Sequence, residues 1–421
     1  MVGTKPIQDE LANIVGKENV RPASAEDAVC GVLPQFVAEP ENEQQIAAVL
    51  SYANTTGISV APRGGGTKME WGNPPKRAEL VLSTARSNRI VEHVWADLTV
   101  TVEAGCTLHS LQTVLAKHGQ RLAFDGLWPE RATVGGALST NDSGALRLRF
   151  GALRDLIIGV TLALPDGTLA NSGGKVVKNV AGYDLPKLAT GALGTLGVIT
   201  RAVFRLHPQN PNTSTLTFET SNWNEMQTNL HAIQDSKLAH SAFQIRAASA
   251  KAPKADIMFE ATEAGLAAQS DQLEKILAGI ALCKPDSQEI WQARNRLFSS
   301  IDQNTVIAKF SLLPSDISKA MQWLDRIRTS THASWRAVIQ ATGIGMLRLD
   351  ADASTFAKHV EALRSEFERA AGSLVLLHRP EFLRSRDAWG NSGDALPLMR
   401  AVKHRLDPQN ILNPGRFAGG I

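Results

Sequence analysis

Hydrophobic and polar residues alternate in short blocks along the first half of the chain, and their spacing predicts interleaved strands and helices. Apolar residues recur every three or four positions over residues 43–56, which is typical of a helix with one buried face, and Gly57 provides its C-terminal stop. Short strands are predicted on either side, at residues 35–38 and 58–61. This order places a strand directly before the first of two glycine clusters.

The same alternation continues toward the middle of the chain. Residues 98–102 alternate as a half-buried strand, and Thr107 then caps a predicted helix that Gly119 ends. Residues 156–164 form an apolar run that predicts a buried strand, closed by a Pro-Asp-Gly turn at 165–167. Together these elements predict an α+β domain of two small lobes.

Beyond a proline-containing hinge at residues 207–211, the pattern of elements occurs twice. The first series comprises strand 215–219, helix 222–233, strands 242–246 and 256–260, and helix 263–282; the second comprises strand 306–312, helix 315–328, strands 335–341 and 346–350, helix 354–371 and a last strand 373–378. Two split β-α-β units side by side predict one antiparallel sheet with its helices on one face. An independent ferredoxin-like module without catalytic duty would show the same pattern.

Two glycine clusters carry the first sign of chemistry. Residues 61–68 read Ala-Pro-Arg-Gly-Gly-Gly-Thr-Lys, and about 70 residues later residues 133–141 read Thr-Val-Gly-Gly-Ala-Leu-Ser-Thr-Asn. Consecutive main-chain N–H groups in such clusters can converge on a pyrophosphate, because glycine lacks the Cβ that would block the approach. We therefore expect the amides of two loops to bind a phosphate-bearing cofactor.

A Rossmann site is the obvious alternative, and the order of elements argues against it. In that fold the glycines open a helix whose N-terminus holds the pyrophosphate. Here Trp71, Gly72, Pro74 and Pro75 follow the first cluster, so no helix can begin there. The cluster is expected to bind through a loop, aided by side chains, and a plain surface turn is the simpler alternative.

Further motifs follow in a fixed order along the chain, and the whole pattern resembles a known family. They occupy residues 141–144, 150–155, 175–186, 191–200 and 406–416. With the glycine clusters they resemble the FAD-linked oxidases of the vanillyl-alcohol oxidase superfamily, which have a PCMH-type FAD-binding domain. Within that superfamily the chain is most similar to the FAD-binding subunit of bacterial glycolate oxidase.

The resemblance implies a role for particular residues in holding FAD. The first loop would wrap the pyrophosphate, the second cluster would line the cofactor toward the ring, and a third segment would approach the adenine through its main chain, while a proline and a C-terminal asparagine would lie near the flavin ring. The residues concerned are Arg63, Gly64, Gly65, Gly66 and Thr67; Thr133, Gly135, Gly136, Ser139 and Asn141; Gly194, Gly197 and Ile199; and Pro129 and Asn413. Covalently flavinylated relatives carry a histidine where this chain has Thr67, so the FAD is expected to be non-covalent.

The resemblance also implies a division of the chain. An N-terminal helical segment is expected over residues 1–28, the two-lobed FAD-binding domain over 29–210 and an α+β cap domain over the flavin at 211–385. Residues 386–421 would return to the FAD-binding domain. A length of 421 residues agrees with more than one core.

Composition narrows the class of protein. Hydrophobic residues make up 43% and charged residues 20%, which are ordinary globular values. Neither a signal peptide nor a membrane-spanning segment is apparent, so a cytoplasmic protein is expected, with docking at the inner face of the cytoplasmic membrane left open. The net charge of +3 is too small to indicate nucleic-acid binding. The three cysteines, Cys30, Cys106 and Cys283, cannot hold an iron–sulfur cluster.

Candidates for the chemical step are fewer. Catalytic relatives carry His-x-Gly-Asp-Gly-Asn in the cap, whereas the matching stretch here, residues 340–348, has no histidine, aspartate or asparagine. No metal site is expected. His378, Arg379 and Arg348 are the candidates for proton transfer and carboxylate binding, with Arg246 as a further cation; ordinary salt bridges at strand ends are the alternative role.

These features predict an FAD-binding subunit of a glycolate oxidase-type complex. It would take part in oxidising glycolate or a related 2-hydroxy acid, beside a second flavin-binding subunit and an iron–sulfur subunit that receives the electrons. A self-sufficient FAD-dependent 2-hydroxy-acid dehydrogenase and a flavin-free structural subunit are the alternatives.

Overall fold

The computed structural model describes residues 7–175, 182–285, 288–331 and 333–421. The chain forms two compact units. The first comprises residues 1–143, 152–209 and 392–421, and the second comprises residues 144–151 and 210–391. Part of the motif expected at 175–186 lies outside the described residues.

The strands and helices interleave through the first unit and recur as a series in the second. The strands are β1 (Val20–Pro22), β2 (Phe36–Ala38), β3 (Val60–Arg63), β4 (Leu80–Ser83), β5 (Ile90–Val94), β6 (Thr99–Glu103), β7 (Gln120–Arg121), β8 (Ile157–Ala163), β9 (Leu169–Gly173), β10 (Val198–Arg205), β11 (His207–Pro208), β12 (Thr213–Glu219), β13 (His240–Ala248), β14 (Lys254–Glu260), β15 (Leu282–Cys283), β16 (Thr305–Ser311), β17 (Ser334–Gln340), β18 (Ile344–Asp350) and β19 (Ser373–His378). The helices are α1 (Ile7–Val15), α2 (Glu43–Thr56), α3 (Leu108–Ala116), α4 (Val134–Thr140), α5 (Arg147–Phe150), α6 (Leu153–Leu156), α7 (Leu185–Ala189), α8 (Trp223–Gln234), α9 (Glu263–Ile276), α10 (Ala293–Arg296), α11 (Ile317–Thr331), α12 (Ala353–Arg369) and α13 (Leu396–Leu406).

The first lobe of the first unit is a four-stranded sheet in the order β1-β2-β4-β3. Strands β2, β4 and β3 run parallel, and β1 is antiparallel to β2. Helix α2 has the predicted bounds, because the Asn42 side chain accepts a hydrogen bond from Gln45 N and Gly57 ends the helix in the left-handed conformation. Its apolar face packs with α1 over the sheet, which buries Leu11, Ile46 and Leu50 completely.

The second lobe is a five-stranded antiparallel sheet in the order β5-β6-β10-β8-β9. Helices α3 and α4 contribute Leu111 and Leu138 to its core, beside Phe204 of β10. Thr107 caps α3 as predicted, by accepting a hydrogen bond from Ser110 N. The two sheets confirm the predicted α+β domain of two lobes.

The C-terminal segment belongs to the first unit, where it runs beside β3. Leu412 forms a parallel bridge with Val60. The segment is held by a buried pair, in which Lys403 Nζ lies 2.6 Å from Asp407 Oδ2 and also donates to the main-chain oxygens of Thr195 and Leu412 at 2.8 and 2.9 Å. Burial lowers the pKa of Lys403, and Asp407 opposes that shift.

The second unit is built on an eight-stranded antiparallel sheet, in the order β15-β12-β14-β13-β17-β18-β16-β19. Alternate strand residues such as Phe243 and Phe310 pack with Met226 of α8, Met321 of α11 and Phe367 of α12 in one hydrophobic core. The predicted pair of β-α-β-β-α series is therefore confirmed.

Several predicted boundaries differ from the structure. The helix predicted over 263–282 ends at Ile276, and β15 follows as an edge strand. The expected helical segment 1–28 also contains β1, which pairs with β2. Residues 144–151, expected in the FAD-binding domain, and 386–391, expected in the C-terminal segment, both belong to the second unit.

In the part of the chain that the structure describes, no helix combines the length and apolar character needed to cross a bilayer.

Replacing Lys403 with Met should lower the free energy of unfolding of the first unit by about 3–5 kcal/mol, because Asp407 would stay buried without its partner. The control is Lys187→Met, which removes the exposed Lys187–Asp184 pair and should cost under about 1 kcal/mol. Denaturant titration followed by circular dichroism measures both. Equal losses in the two variants would contradict a structural role for the buried pair.

Candidate functional site

A cleft of about 650 Å³, open to solvent, lies in the first unit between the two glycine clusters. It brings together most of the predicted cofactor residues with several that were not predicted. The lining residues are Pro62, Arg63, Gly64, Gly65, Gly66, Thr67, Lys68, Met69, Thr84, Thr133, Gly135, Gly136, Ser139, Thr140, Leu193, Gly194, Gly197, Val198, Ile199 and Arg416.

The first glycine cluster forms a loop directly after β3, as the sequence predicts. Among the residues that the structure describes, none accepts a hydrogen bond from the main-chain N–H of Gly64, Gly65, Gly66 or Thr67. Such groups need an acceptor from water or from a ligand. The loop thus offers four successive donors at the edge of the cleft.

The reason for glycine differs from the expected one at two of these positions. A Cβ on Gly64 would overlap the Thr133 side chain, and one on Gly65 would overlap the main-chain oxygen of Arg131. These glycines therefore permit close packing of the loop on the second cluster, whereas the sequence suggested that they leave room for phosphate. Gly66 has a φ of +71° with no crowding, so it is needed for its left-handed backbone.

The second glycine cluster corrects the prediction of two amide-bearing loops. It forms the first turn of α4, with Thr133 as N-cap. Its amides are already used, since Gly135 N donates to Ala104 O at 2.8 Å and Gly136 N donates to Thr133 Oγ1 at 3.3 Å. The segment from Val134 to Thr140 is too short for its hydrophobic pattern to predict this helix. The cluster forms a wall of the cleft and adds no free glycine amide from these two residues.

The third predicted segment completes the cleft. Leu193 N donates to Ser139 O at 2.8 Å, which joins this segment to α4. Gly194 has a φ of +69°, and a Cβ there would lie against Pro62 and within 3.6 Å of Asn413 Nδ2. Gly197 and Ile199 line the cleft beyond it.

An ion-pair chain holds the entry to the first loop. Arg63 Nη1 lies 2.5 Å from Asp27 Oδ1, and Asp27 also binds Arg21 at 2.7 Å. The hydrogen bond from Arg21, with those from Ser24 and Arg63, keeps the pKa of Asp27 far below its usual range despite burial. Arg63 was predicted to help bind phosphate through its side chain, and one end of that side chain is committed to Asp27.

Lys68 forms a second buried pair at the exit of the loop. Its Nζ lies 3.7 Å from Asp142 Oδ2 and 5.4 Å from the ring centre of Trp128. Asp142 in turn accepts a hydrogen bond from Leu127 N at 2.8 Å. The predicted Gly-Thr-Lys run contained this lysine, but nothing in the sequence assigned its partner.

Within the described chain, three predicted cofactor residues do not line the cleft. Asn141 ends α4 in the left-handed conformation. Pro129 accepts a hydrogen bond from His109 N at 2.9 Å. Asn413 donates from Nδ2 to Leu193 O at 2.7 Å, and its Oδ1 is buried without a hydrogen-bond partner among described residues.

In the second unit, two predicted cations are occupied by structural contacts. Arg348 binds Asp350 and the main-chain oxygens of Leu297, Ser299 and Ser300, so its donors are taken. Arg246 binds the fully buried Asp256 through two nitrogens, at 2.6 and 2.8 Å.

His378, the candidate for proton transfer, has different surroundings from these arginines. It ends β19, and its Nε2 is buried without a hydrogen-bond partner among the described residues. Burial lowers its pKa, and the cations Arg348, Arg384 and Arg379 lower it further. Arg379 is itself buried and donates to the main-chain oxygen of Arg386. Residues 340–348 form a β17–β18 hairpin, and no group of three or more metal-ligating side chains occurs in the described ranges.

Comparison with known proteins indicates which cofactor this chain binds. Residues 34–173 match the FAD binding domain family, and residues 386–417 match the FAD linked oxidases, C-terminal domain. The chain therefore contains a PCMH-type FAD-binding domain and a C-terminal segment of the FAD-linked oxidase type. It is an FAD-dependent oxidoreductase, and the unengaged loop amides and the cleft suit a phosphate-bearing cofactor.

Relatives and solved structures agree with this FAD-linked oxidase fold. The chain is 26% identical to a D-2-hydroxyglutarate dehydrogenase of Xanthomonas citri pv. viticola, over 91% of this chain and 89% of that one. It is 33% identical to glycolate oxidase subunit GlcD of Bacillus subtilis, over 51% of this chain and 47% of that one. The crystal structure of p-cresol methylhydroxylase superposes with a TM-score of 0.77 at 15% identity, covering 97% of this chain and 95% of that one.

Replacing Gly65 with Ala should both destabilise the apoprotein, by about 1–3 kcal/mol or more, and abolish FAD retention, because the new methyl group would overlap Arg131. Gly57→Ala is the control for a glycine without crowding, since Gly57 has open space around it and only its left-handed φ of +73° opposes a side chain. That control should lose about 1–2 kcal/mol and retain FAD. Thermal melting of apoprotein and flavin absorbance measure the two effects. An apoprotein of unchanged stability with full FAD would refute the packing role of Gly65.

Proposed function

We propose that this chain is the FAD-binding subunit of a glycolate oxidase-type complex, oxidising glycolate or a related 2-hydroxy acid to the 2-oxo acid. The observation that carries the proposal is the row of unengaged amides of Gly64–Thr67 beside a cleft in an FAD-linked oxidase. Named relatives act on acids of this class: D-2-hydroxyglutarate dehydrogenase, glycolate oxidase subunit GlcD and D-lactate dehydrogenase.

We assign the FAD pyrophosphate to the amides of the first loop. Thr133, Gly135, Gly136 and Ser139 would then form the opposite wall, with Gly194, Gly197 and Ile199 on the adenine side. Asn141 would support the second cluster, and Pro129 and Asn413 would lie toward the ring end. Thr67 has no nucleophilic ring nitrogen to attach to the flavin, which agrees with non-covalent FAD.

Oxidation of a 2-hydroxy acid requires three things from the protein: a base for the hydroxyl proton, a cation for the carboxylate and correct orientation of the C–H bond. Bound FAD supplies the acceptor for the hydride. His378 would take the hydroxyl proton, because its lowered pKa keeps the imidazole neutral. Arg379 would attract the substrate carboxylate. Arg348, whose hydrogen-bond donors are occupied, would contribute its positive charge without a hydrogen bond to the substrate.

The electrons taken from the substrate must pass from FAD to an acceptor, and this requirement suggests which partners the chain has. The cysteines Cys30 and Cys106 are buried and Cys283 is exposed, and three thiols are fewer than an iron–sulfur cluster needs. An iron–sulfur subunit and a second flavin-binding subunit would therefore carry the electrons onward, in the cytoplasm or at the inner face of its membrane. The word subunit in the name of GlcD supports assembly with partners.

A self-sufficient FAD-dependent 2-hydroxy-acid dehydrogenase is the second candidate. The observation in its favour is the similarity to D-2-hydroxyglutarate dehydrogenase along 91% of the chain. A flavin-free structural subunit would be the remaining possibility, and it would leave the amides of the first loop without a ligand.

The purified chain should show flavin absorbance, and glycolate should bleach it slowly alone but rapidly when the partner subunits are added. Anaerobic stopped-flow spectrophotometry measures the rate, with D-2-hydroxyglutarate and D-lactate as parallel substrates. Rapid bleaching of the isolated chain would establish the self-sufficient dehydrogenase instead. A colourless protein that cannot be reconstituted with FAD would leave the structural subunit.

His378→Ala should slow flavin reduction by about 100-fold or more if His378 accepts the hydroxyl proton. Because burial places its pKa below 6.5, the rate in the unaltered protein should stay constant at neutral pH and fall only at pH values below 6.5, as the imidazole becomes protonated. His404→Ala, on an exposed face of α13, is the control. The proton-transfer role is excluded by an unchanged rate and pH profile in His378→Ala.

A further inference from the structure

The main chain just after the first glycine loop is held by a residue from the far end of the sequence. Arg416 is 3% exposed, and its Nη2 donates to Met69 O at 2.8 Å and to Lys68 O at 3.3 Å. Two consecutive carbonyls are thus bound by one guanidinium. Since a peptide group is planar and trans, the N–H groups of Met69 and Glu70, which share these peptide units, point away from Arg416, so the guanidinium fixes the orientation of the main chain directly after the loop.

The Met69 carbonyl oxygen accepts hydrogen bonds from several donors. Besides Arg416, it accepts from Cys30 N at 3.2 Å and from Cys30 Sγ at 3.3 Å. Arg416 also accepts in return, because Asn73 N donates to its main-chain oxygen at 2.9 Å. The loop end and the C-terminal turn are therefore tied in both directions.

The same C-terminal turn contacts the other walls of the cleft. Asn413 N donates to Val60 O at 3.0 Å, in the strand that leads into the glycine loop. Asn413 Nδ2 binds Leu193 O, in the segment that forms the third wall. Residues 413–416 thus join the start of the loop, its end and the facing segment, and Arg416 itself lines the cleft.

A buried guanidinium is costly, because desolvation opposes it, and an apolar side chain of similar size would pack at lower cost. What an apolar residue cannot do is hold two carbonyls in fixed directions with charge-assisted hydrogen bonds. The position of Arg416 therefore indicates a need for a rigid main chain at this end of the loop.

We infer that Arg416 is a positioning residue for FAD: it holds the carbonyls of Lys68 and Met69 so that the amides of Gly64–Thr67 are presented to the cofactor phosphates, and it makes FAD affinity depend on the docked C-terminal turn. This inference rests on the proposed role of the first loop in binding the pyrophosphate. Arg416 acts through the loop and needs no contact with FAD.

The test compares FAD dissociation constants of full-length apoproteins, measured by titration of flavin fluorescence. Arg416→Met should weaken FAD binding about tenfold or more, because the loop loses its charge-assisted support. Arg416→Lys should weaken it less, since one ammonium can still reach a carbonyl. Arg416→Gly should recover affinity when millimolar guanidinium is added, whereas the unaltered protein should not respond.

Arg364 of the second unit offers a matched control. It is 6% exposed and likewise binds main-chain oxygens, those of Leu374, Asp387 and Ala388. Arg364→Met should lower the melting temperature of the apoprotein and leave FAD affinity unchanged.

FAD affinity within twofold of the unaltered protein in both Arg416→Met and Arg416→Lys would overturn the inference. An equal loss of FAD affinity in Arg364→Met would also overturn it, because Arg416 would then affect FAD binding only through the overall stability of the protein. If Arg416→Met does not fold, the lysine variant and guanidinium rescue of the glycine variant decide, and the absence of both effects overturns the inference. Failure of the loop assignment is distinguishable, because Gly65→Ala would then keep FAD.

Discussion

Four main-chain N–H groups in succession, from Gly64 to Thr67, lack acceptors within the described chain. A backbone N–H group without an acceptor destabilises the folded protein unless water or a ligand accepts its hydrogen bond. In the first unit, Gly64 and Gly65 pack closely on Thr133 and the carbonyl of Arg131, and the four N–H groups stay available for a ligand. Backbone packing thereby forms the surface that we propose for the cofactor phosphates.

The charged side chains around the cleft mainly bind one another and the main chain on either side of the first loop. Asp27 holds Arg63 before the loop, and Asp142 faces Lys68 after it. Arg416, in the C-terminal turn, binds the main-chain oxygens of Lys68 and Met69 at the end of the loop. Each of these side chains is largely buried, so its partner determines its geometry. The C-terminal segment consequently lines the cleft through Arg416, although it is remote in sequence from the first loop.

The second unit shows how similar side chains can have different duties. Arg246 binds a carboxylate of its own sheet, and Arg348 binds a carboxylate and several carbonyls of the second unit, so their donors are occupied by structural contacts. His378 keeps a buried ring nitrogen without a hydrogen-bond partner among described residues, and its lowered pKa leaves it neutral. The difference arises from their neighbours: Asp256 on the adjacent strand β14 pairs with Arg246, and Asp350, two residues farther along β18, pairs with Arg348.

The sequence by itself determined the features that depend on local periodicity and on residue type. Helix α2 with its stop at Gly57, the repeated β-α-β-β-α series and the loop character of the first glycine cluster all follow from short-range rules. Tertiary structure alone decided which amides are free, because α4 uses those of Gly135 and Gly136, and why Gly65 must be glycine. It also brought Arg416 to Met69 across almost the whole chain. Such contacts depend on packing between segments distant in sequence, and local propensity carries no information about them.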